Sequence, residues 1–252
     1  MMQRLLRVLR LFSTLFAYLL FGVFGSALAL VLPLLLCRQP PGLPGQLRAR
    51  RAVSRVWSGY LAWMRLTGIC RVRWHGRERL GRPGQLVLVN HPSLMDVLFM
   101  MSAVPAGNCV VKASLLKNPS MRPSIRACGF IPNDDPLALM EQADAVLAAG
   151  QTLMIFPEGT RTGWDGQVKM HRGAVSLGLR SASVITPVCI KMTPPNFKKG
   201  QPWYKIPPQK IHYEITVGDD ILPEEWLAEK PLPIAARRLN EYLQDYFTRK
   251  TT

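Results

Sequence analysis

The chain has 252 residues, 48% of them hydrophobic and 19% charged, with 32 Lys and Arg against 16 Asp and Glu and a formal net charge of +16. That length suits one domain plus a membrane segment and is ample for a substantial core. Residues 1–82 hold 14 Arg, no Lys and a single acid, Glu78, a net +13; such a basic region suits nucleic acid or anionic lipid, and its apolar content excludes the first.

Residues 11–37 form an uncharged run of 27, and about 20 apolar residues cross a bilayer. Arg4, Arg7 and Arg10 precede it; Arg38, Arg48, Arg50, Arg51 and Arg55 follow. A cleaved signal peptide is the competing reading, because Ala27-Leu28-Ala29 resembles a cleavage site. Residues 30–36 stay apolar, however, which favours an uncleaved anchor. Arginines on both flanks leave the orientation open, and Pro33 leaves open a crossing or a re-entrant turn. The Pro/Gly-rich residues 39–45 predict a hinge. Next, Val53, Val56, Trp57, Tyr60, Leu61, Trp63 and Met64 alternate with Arg50, Arg51, Arg55 and Arg65. The pattern predicts an amphipathic helix over residues 49–67, lying at the interface with its arginines toward anionic lipid. A core helix with a solvated basic side is the alternative.

Beyond Arg71, strands and helices alternate. Strand candidates are residues 85–90, 108–111, 129–132, 152–156, 184–191 and 210–217. The first ends at Asn90-His91-Pro92-Ser93-Leu94-Met95-Asp96. Pro92 suits the first turn of a helix continuing through Leu94, Met95, Val97, Leu98 and Met100. A neutral imidazole with a carboxylate behind it can take a proton from an alcohol near neutral pH. Five residues apart in one continuous helix, the two side chains would diverge by about 140°. They meet only if His91 lies outside the helix, so the motif is expected to straddle a strand-to-helix junction. A helix cap with a solvated Asp96 is the plain alternative.

Asp135-Pro136 starts a helix well and Gly150 follows its end. The strand candidate at 152–156 leads into Pro157-Glu158-Gly159-Thr160-Arg161. A carboxylate, a flexible Gly and a guanidinium at a strand end make a polar pocket where open α/β sheets bind ligands. Arg161 offers a planar fork to phosphate or carboxylate, and Gly159 lets the backbone approach. A surface turn with a local Glu–Arg pair is the alternative. Leu239, Tyr242, Leu243, Tyr246 and Phe247 form an apolar stripe on a C-terminal helix.

The predicted fold class is α/β, a mixed sheet flanked by helices with an N-terminal membrane-anchoring helical segment; the sheet is mixed because residues 210–217 read as a late added strand. The expected division is residues 1–70 for the anchor and basic helix and 71–252 for the catalytic domain. Cys37, Cys70, Cys109, Cys128 and Cys189 are odd in number and scattered, which favours a reducing compartment. His75, His91, His171 and His212 lack zinc-site spacing, so no metal is expected, and His171 reads better as a surface residue.

Together the two motifs resemble those of the glycerolipid acyltransferases, best represented by the lysophosphatidic acid (1-acylglycerol-3-phosphate) acyltransferases. Asn90 to Asp96 is similar to that family's His-x4-Asp catalytic block, and Phe156-Pro157-Glu158-Gly159-Thr160-Arg161 to its acceptor-binding block. Val184-Ile185-Thr186-Pro187-Val188-Cys189-Ile190 resembles its fourth block, and Lys112 and Arg172-Gly173-Ala174 sit where the family has similar residues. One block departs: Gly129-Phe130-Ile131-Pro132-Asn133 carries Asn133 where the family has Arg. Losing that guanidinium removes a charge-assisted hydrogen bond to phosphate worth about 1.5–3 kcal/mol. The stretch Val110 to Leu115 with Ile131 to Asp134 also resembles a bacterial subgroup linked to aryl-polyene lipids.

The resemblance implies a membrane-bound O-acyltransferase. His91 would be general base on an acceptor hydroxyl, with Asp96 fixing its tautomer and stabilising the imidazolium. The alcohol would attack the thioester of acyl-CoA or acyl-carrier protein directly, with no acyl-enzyme and no cofactor beyond that co-substrate. Glu158, Gly159, Thr160 and Arg161 would bind the acceptor and Lys112 would add charge. Backbone N–H groups near Ser93 are expected to hold the oxyanion. The implied acceptor is a lysophospholipid, foremost 1-acylglycerol-3-phosphate giving phosphatidic acid; a non-glycerophosphate lipid of aryl-polyene type is the alternative. The implied setting is a bacterial inner membrane with anionic lipid as partner and the catalytic domain facing the cytoplasm. From other classes, a lipid hydrolase would use the same pair on water, and a non-catalytic membrane scaffold would leave both motifs idle.

Overall fold

The computed structural model describes residues 2–36, 42–164, 167–196, 198, 200–202 and 209–251, with backbone alone for 2–10 and 35–36. Cys37, Arg38 and the first half of the expected hinge lie outside the described residues, as do the side chains of Arg4, Arg7 and Arg10.

In chain order the helices are α1 (Met2–Leu36), α2 (Leu43–Leu66), α3 (Asp96–Ala103), α4 (Arg122–Cys128), α5 (Pro136–Ala148), α6 (Arg172–Ser181), α7 (Pro223–Glu229) and α8 (Leu232–Thr251). The strands are β1 (Cys70–His75), β2 (Gln85–Val89), β3 (Asn108–Val111), β4 (Ile131–Pro132), β5 (Leu153–Ile155), β6 (Val184–Thr193) and β7 (Ile211–Val217). They form a seven-stranded sheet in the order β1-β7-β6-β2-β5-β3-β4. Strands β6, β2, β5, β3 and β4 are parallel; β7 runs antiparallel to β6 and parallel to β1. The mixed α/β architecture is therefore as expected, with β7 as the reversed late strand.

The sheet divides the core by side-chain alternation. Val87 and Val89 face a cluster shared with α1 to α4, while Leu86 and Leu88 face one shared with α5, α6 and α8. All four are completely buried, as parallel strands covered on both faces require. The Asp135 carboxylate caps α5 as expected, accepting from the N–H groups of Leu137 (2.9 Å) and Ala138 (3.3 Å).

Four expectations change. Strand β1 is an addition to the expected set, although Cys-Arg-Val-Arg-Trp-His alternates apolar and basic; Arg71 and Arg73 point outward from an edge strand and mask its inner face. Helix α3 begins at Asp96 rather than at Pro92, which precedes the bend and turn at residues 93–95. On α8, Tyr242 is exposed while Leu239, Leu243 and Phe247 are buried. Finally, α2 is a core helix: Val53, Trp57, Tyr60, Leu61 and Met64 are buried against the rest of the domain. Its aromatic face meets α1, with Phe21 stacked on Trp57 at 5.0 Å and Phe16 edge-on to Trp63 at 5.6 Å.

Arg50, expected to face lipid, is only 2% exposed. Its guanidinium donates to Cys128 O (2.7 Å), Ala106 O (3.2 Å), Gln151 Oε1 (2.7 Å) and Gln46 Oε1 (3.3 Å). Cys128 is the last residue of α4, so the cation caps that helix's carbonyl end, where a positive charge is favoured. Burial pulls its pKa down to about 10, leaving it charged at neutral pH.

Helix α1 is continuous through Pro33. Its apolar stretch Leu11–Leu34 has a mean hydropathy of 2.3, and 24 residues of helix span roughly 36 Å. One stripe of it (Thr14, Ala17, Leu28, Leu32) is buried, while Phe12, Phe16, Leu19, Val23, Leu30 and Leu34 are exposed.

Candidate active site

Strands β2 and β5 are neighbours in the sheet, paired in parallel with Leu86 opposite Leu153 and Leu88 opposite Ile155. Both site motifs leave the carboxyl ends of these strands, the usual ligand-binding edge of such sheets. The same register carried onward sets Glu158 opposite His91. There the Glu158 Oε1 accepts the His91 backbone N–H at 2.7 Å and the Thr162 hydroxyl at 3.0 Å. The Thr162 N–H in turn donates to His91 O at 2.7 Å. Asn90 braces the other side: its side chain donates to Ile190 O (3.0 Å) and accepts from Ile190 N (2.7 Å) on β6.

The His91 backbone is thus held outside any helix, and its ring meets the carboxylate that opens α3. His91 Nδ1 lies 2.9 Å from Asp96 Oδ2. Asp96 is fully buried and accepts two further bonds, from Ser93 N (2.6 Å) to Oδ2 and from Ser93 Oγ (2.7 Å) to Oδ1. Its place in the first turn of α3 also suits an anion. Bonded this way, the imidazole carries its proton on Nδ1 and leaves Nε2 as the basic nitrogen. The ring is tilted against Phe156 with centroids 4.6 Å apart, and 16% of its side chain is exposed. A histidine fixed by a buried carboxylate yet reachable from outside can pass a proton to and from a bound alcohol.

The expected straddling of the strand–helix junction is therefore found, but Ser93 has a different part. Its N–H and hydroxyl are spent on Asp96, and its Oγ accepts from Met95 N at 3.1 Å. The Ser93 N–H is consequently not available as the oxyanion donor. Below the pair, the phenol of Tyr213 from β7 is buried; burial first, then the Asp96 charge, push its pKa well above the usual value.

In the second motif, Gly159 adopts φ 61°, a left-handed conformation that favours glycine. Glu158 is 6% exposed, and burial raises its pKa against the opposing pull of the His91 and Thr162 hydrogen bonds. Thr160 is exposed and Arg161 half-buried beside it. Arg161 also lies within electrostatic reach of Tyr18 on α1. Lys112 is exposed at the carboxyl end of β3 and, among the described residues, makes no hydrogen bond or ion pair with His91, Asp96 or Glu158. Asn133 is exposed, and its Oδ1 accepts from Ala113 N at 3.0 Å, tying the β4 end to the segment after β3. His171 is exposed, as its reading as a surface residue expects, and it also stands beside the motif. Its N–H donates to Pro157 O (2.9 Å), and its ring would lie 3.7 Å from a side chain at Gly159. An apolar cleft opens beside the first motif, between Tyr18 and Phe21 of α1, Tyr60 and Met64 of α2, and Leu94 and Met95.

A family model described as Acyltransferase matches residues 71–191, a span that contains both motifs. The chain is 28% identical over 176 residues to a 1-acyl-sn-glycerol-3-phosphate acyltransferase of Pseudomonas aeruginosa, covering 67% of this chain and 68% of the relative. It is 32% identical over 111 residues to the sheep (Ovis aries) 1-acyl-sn-glycerol-3-phosphate acyltransferase alpha, covering 41% of this chain and 38% of that one. Its fold is similar to the crystal structure of the 1-acyl-sn-glycerophosphate (LPA) acyltransferase PlsC from Thermotoga maritima, with a TM-score of 0.75, 19% identity and 97% of each chain covered. Residues 71–191 thus form an acyltransferase domain, and the chain is an acyltransferase similar to the glycerolipid acyltransferases.

Proposed function

We propose that the protein transfers a fatty acyl group from acyl-CoA or acyl-carrier protein to the free hydroxyl of 1-acylglycerol-3-phosphate, with His91 as general base. The observation that carries this reading is the 2.9 Å contact of His91 Nδ1 with the buried Asp96 carboxylate. Nε2 takes the proton of the acceptor hydroxyl as its oxygen attacks the thioester carbonyl. A tetrahedral intermediate forms and collapses, the carbon–sulfur bond breaks, and the proton passes to the thiolate that leaves. Asp96 stabilises the imidazolium between those steps. Arg161 pairs with the acceptor phosphate, and Glu158 braces the His91 backbone. Membrane attachment is through α1, whose exposed apolar face meets lipid while its buried stripe keeps the domain against the surface.

A second reading concerns the acceptor alone. Asn133, engaged with Ala113 N, supplies no charge to a phosphate, which favours an acceptor less dependent on a cation clamp, such as an aryl-polyene-type lipid. The test is turnover of purified, detergent-solubilised protein with both donors, offered lysophosphatidic acid or a cell-lipid extract. Phosphatidic acid formed by wild type and lost in His91→Ala supports the first reading. Product from the extract alone supports the second, and free fatty acid released without any acceptor refutes both in favour of hydrolysis.

A further inference from the structure

Trp164 is 61% exposed, two residues beyond Thr162, which is fastened to His91 and Glu158. An indole left in water on so firmly tied a loop needs a reason, because aromatic side chains carry a large apolar surface. It is also held in place. The Nζ of Lys198, a residue only 8% exposed, donates to Gly163 O at 2.6 Å and lies 5.5 Å over the Trp164 ring. An exposed indole steadied by a buried cation suits a membrane interface, where the ring enters the headgroup layer.

Three neighbouring facts fit that placement. Arg161 lies within electrostatic reach of Tyr18 on α1, a residue roughly 10 Å along the apolar helix from Leu11, seven residues at 1.5 Å each. Leu94, on the loop carrying the first motif, is 44% exposed and lines the cleft that also reaches Tyr18. Exposed Lys169 and Arg172 follow Trp164 along the chain, adding positive charge that an anionic leaflet attracts.

We propose that Trp164, steadied by Lys198, forms with Leu94, Lys169 and Arg172 a second membrane contact that fits an anionic phospholipid surface and seats the acceptor loop on it. The contact is separate from the α1 anchor and rests on the reading that the acceptor is a lipid taken from the bilayer. Its effect is to bring Arg161 to headgroup level, so that a lysolipid need not leave the leaflet fully to reach His91.

The test uses the full chain reconstituted in phosphatidylcholine–phosphatidylglycerol vesicles. Tryptophan quenching by chain-brominated phosphatidylcholine is compared between wild type and Trp164→Phe. A quenched component present in wild type and absent from the variant supports the contact; identical quenching overturns it. Quenching of equal strength in vesicles without phosphatidylglycerol overturns the anionic part. In parallel, Trp164→Ala should raise the apparent KM for vesicle-borne lysophosphatidic acid roughly tenfold while leaving turnover of a dispersed short-chain acceptor unchanged. An equal loss on both acceptors overturns the seating role. If wild type shows the quenched component but acylates no lysolipid, the contact stands and the acceptor reading falls. Turnover of lysolipid without that component overturns the contact and leaves the acceptor reading standing.

Discussion

Asp96→Asn isolates the carboxylate's charge from its shape. Asp96 Oδ2 accepts from His91 Nδ1 and Ser93 N, and Oδ1 from Ser93 Oγ. An asparagine with its oxygen in the Oδ2 position keeps the first two bonds. Its amide then meets the Ser93 hydroxyl, which turns from donor to acceptor, so the fold loses only about 1 kcal/mol. The attraction between imidazolium and carboxylate disappears. With charge centres about 4 Å apart, that attraction is roughly 4 kcal/mol at an effective dielectric of 20, or on the order of a thousandfold in rate. Free thiol released from acyl-CoA under saturating acceptor gives kcat, and thermal unfolding in the same detergent checks the fold. The expected result is a kcat about a thousandfold lower with the acceptor KM little changed. A variant that melts like wild type and keeps a tenth of its kcat would refute the role given to this charge.

Glu158→Ala should lower kcat by about 30–100-fold, the loss of one charged acceptor, with Glu158→Gln recovering most of it; a raised acceptor KM at unchanged kcat would instead make Glu158 a ligand of the acceptor. Arg50→Met strands the carbonyls of Cys128 and Ala106 and should cost about 3 kcal/mol, lowering the melting temperature by roughly 6–12 °C; a shift under about 2 °C in calorimetry would contradict the capping account. Asp220 is held below the usual carboxylate range by its hydrogen bonds with Arg82 at 2.8 and 2.6 Å. A depressed folded-state pKa contributes stability that is complete above about pH 4 and is lost as pH falls through the lower value. Wild type should therefore lose about 1 kcal/mol more than Asp220→Asn between about pH 4 and pH 2 in urea titrations; parallel curves would discount the pair.

The chemistry was legible because it sits in short, contiguous runs. Asn90 to Asp96 contains the imidazole, the carboxylate it meets and the serine that steadies that carboxylate, and the 140° argument correctly demanded a break between His91 and the helix. What could not be read was which strands lie side by side. The Glu158–His91 bond follows from the register of β2 on β5, and no local pattern gives a partner 67 residues away. The same blindness misassigned α2. Its apolar stripe is the same whether it meets lipid or α1, and only the presence of Phe16 and Phe21 opposite decides. Arg50 followed from that error, because four uncharged acceptors drawn from three other segments and its own helix hold it, and none of them signals a cation site in sequence.

The buried stripe of α1 makes the helix part of the domain's structure, besides the membrane attachment proposed for it. Removing it to obtain a soluble enzyme would strip the cover from Trp57 and Tyr60 and break the bond from the Tyr60 hydroxyl to Ala17 O (3.1 Å). It would also open the wall of the cleft at Met95, whose neighbour in the chain is Asp96. Truncation is thus a mutation of the catalytic neighbourhood, and a loss of activity in such a fragment says nothing about whether lipid is needed for turnover.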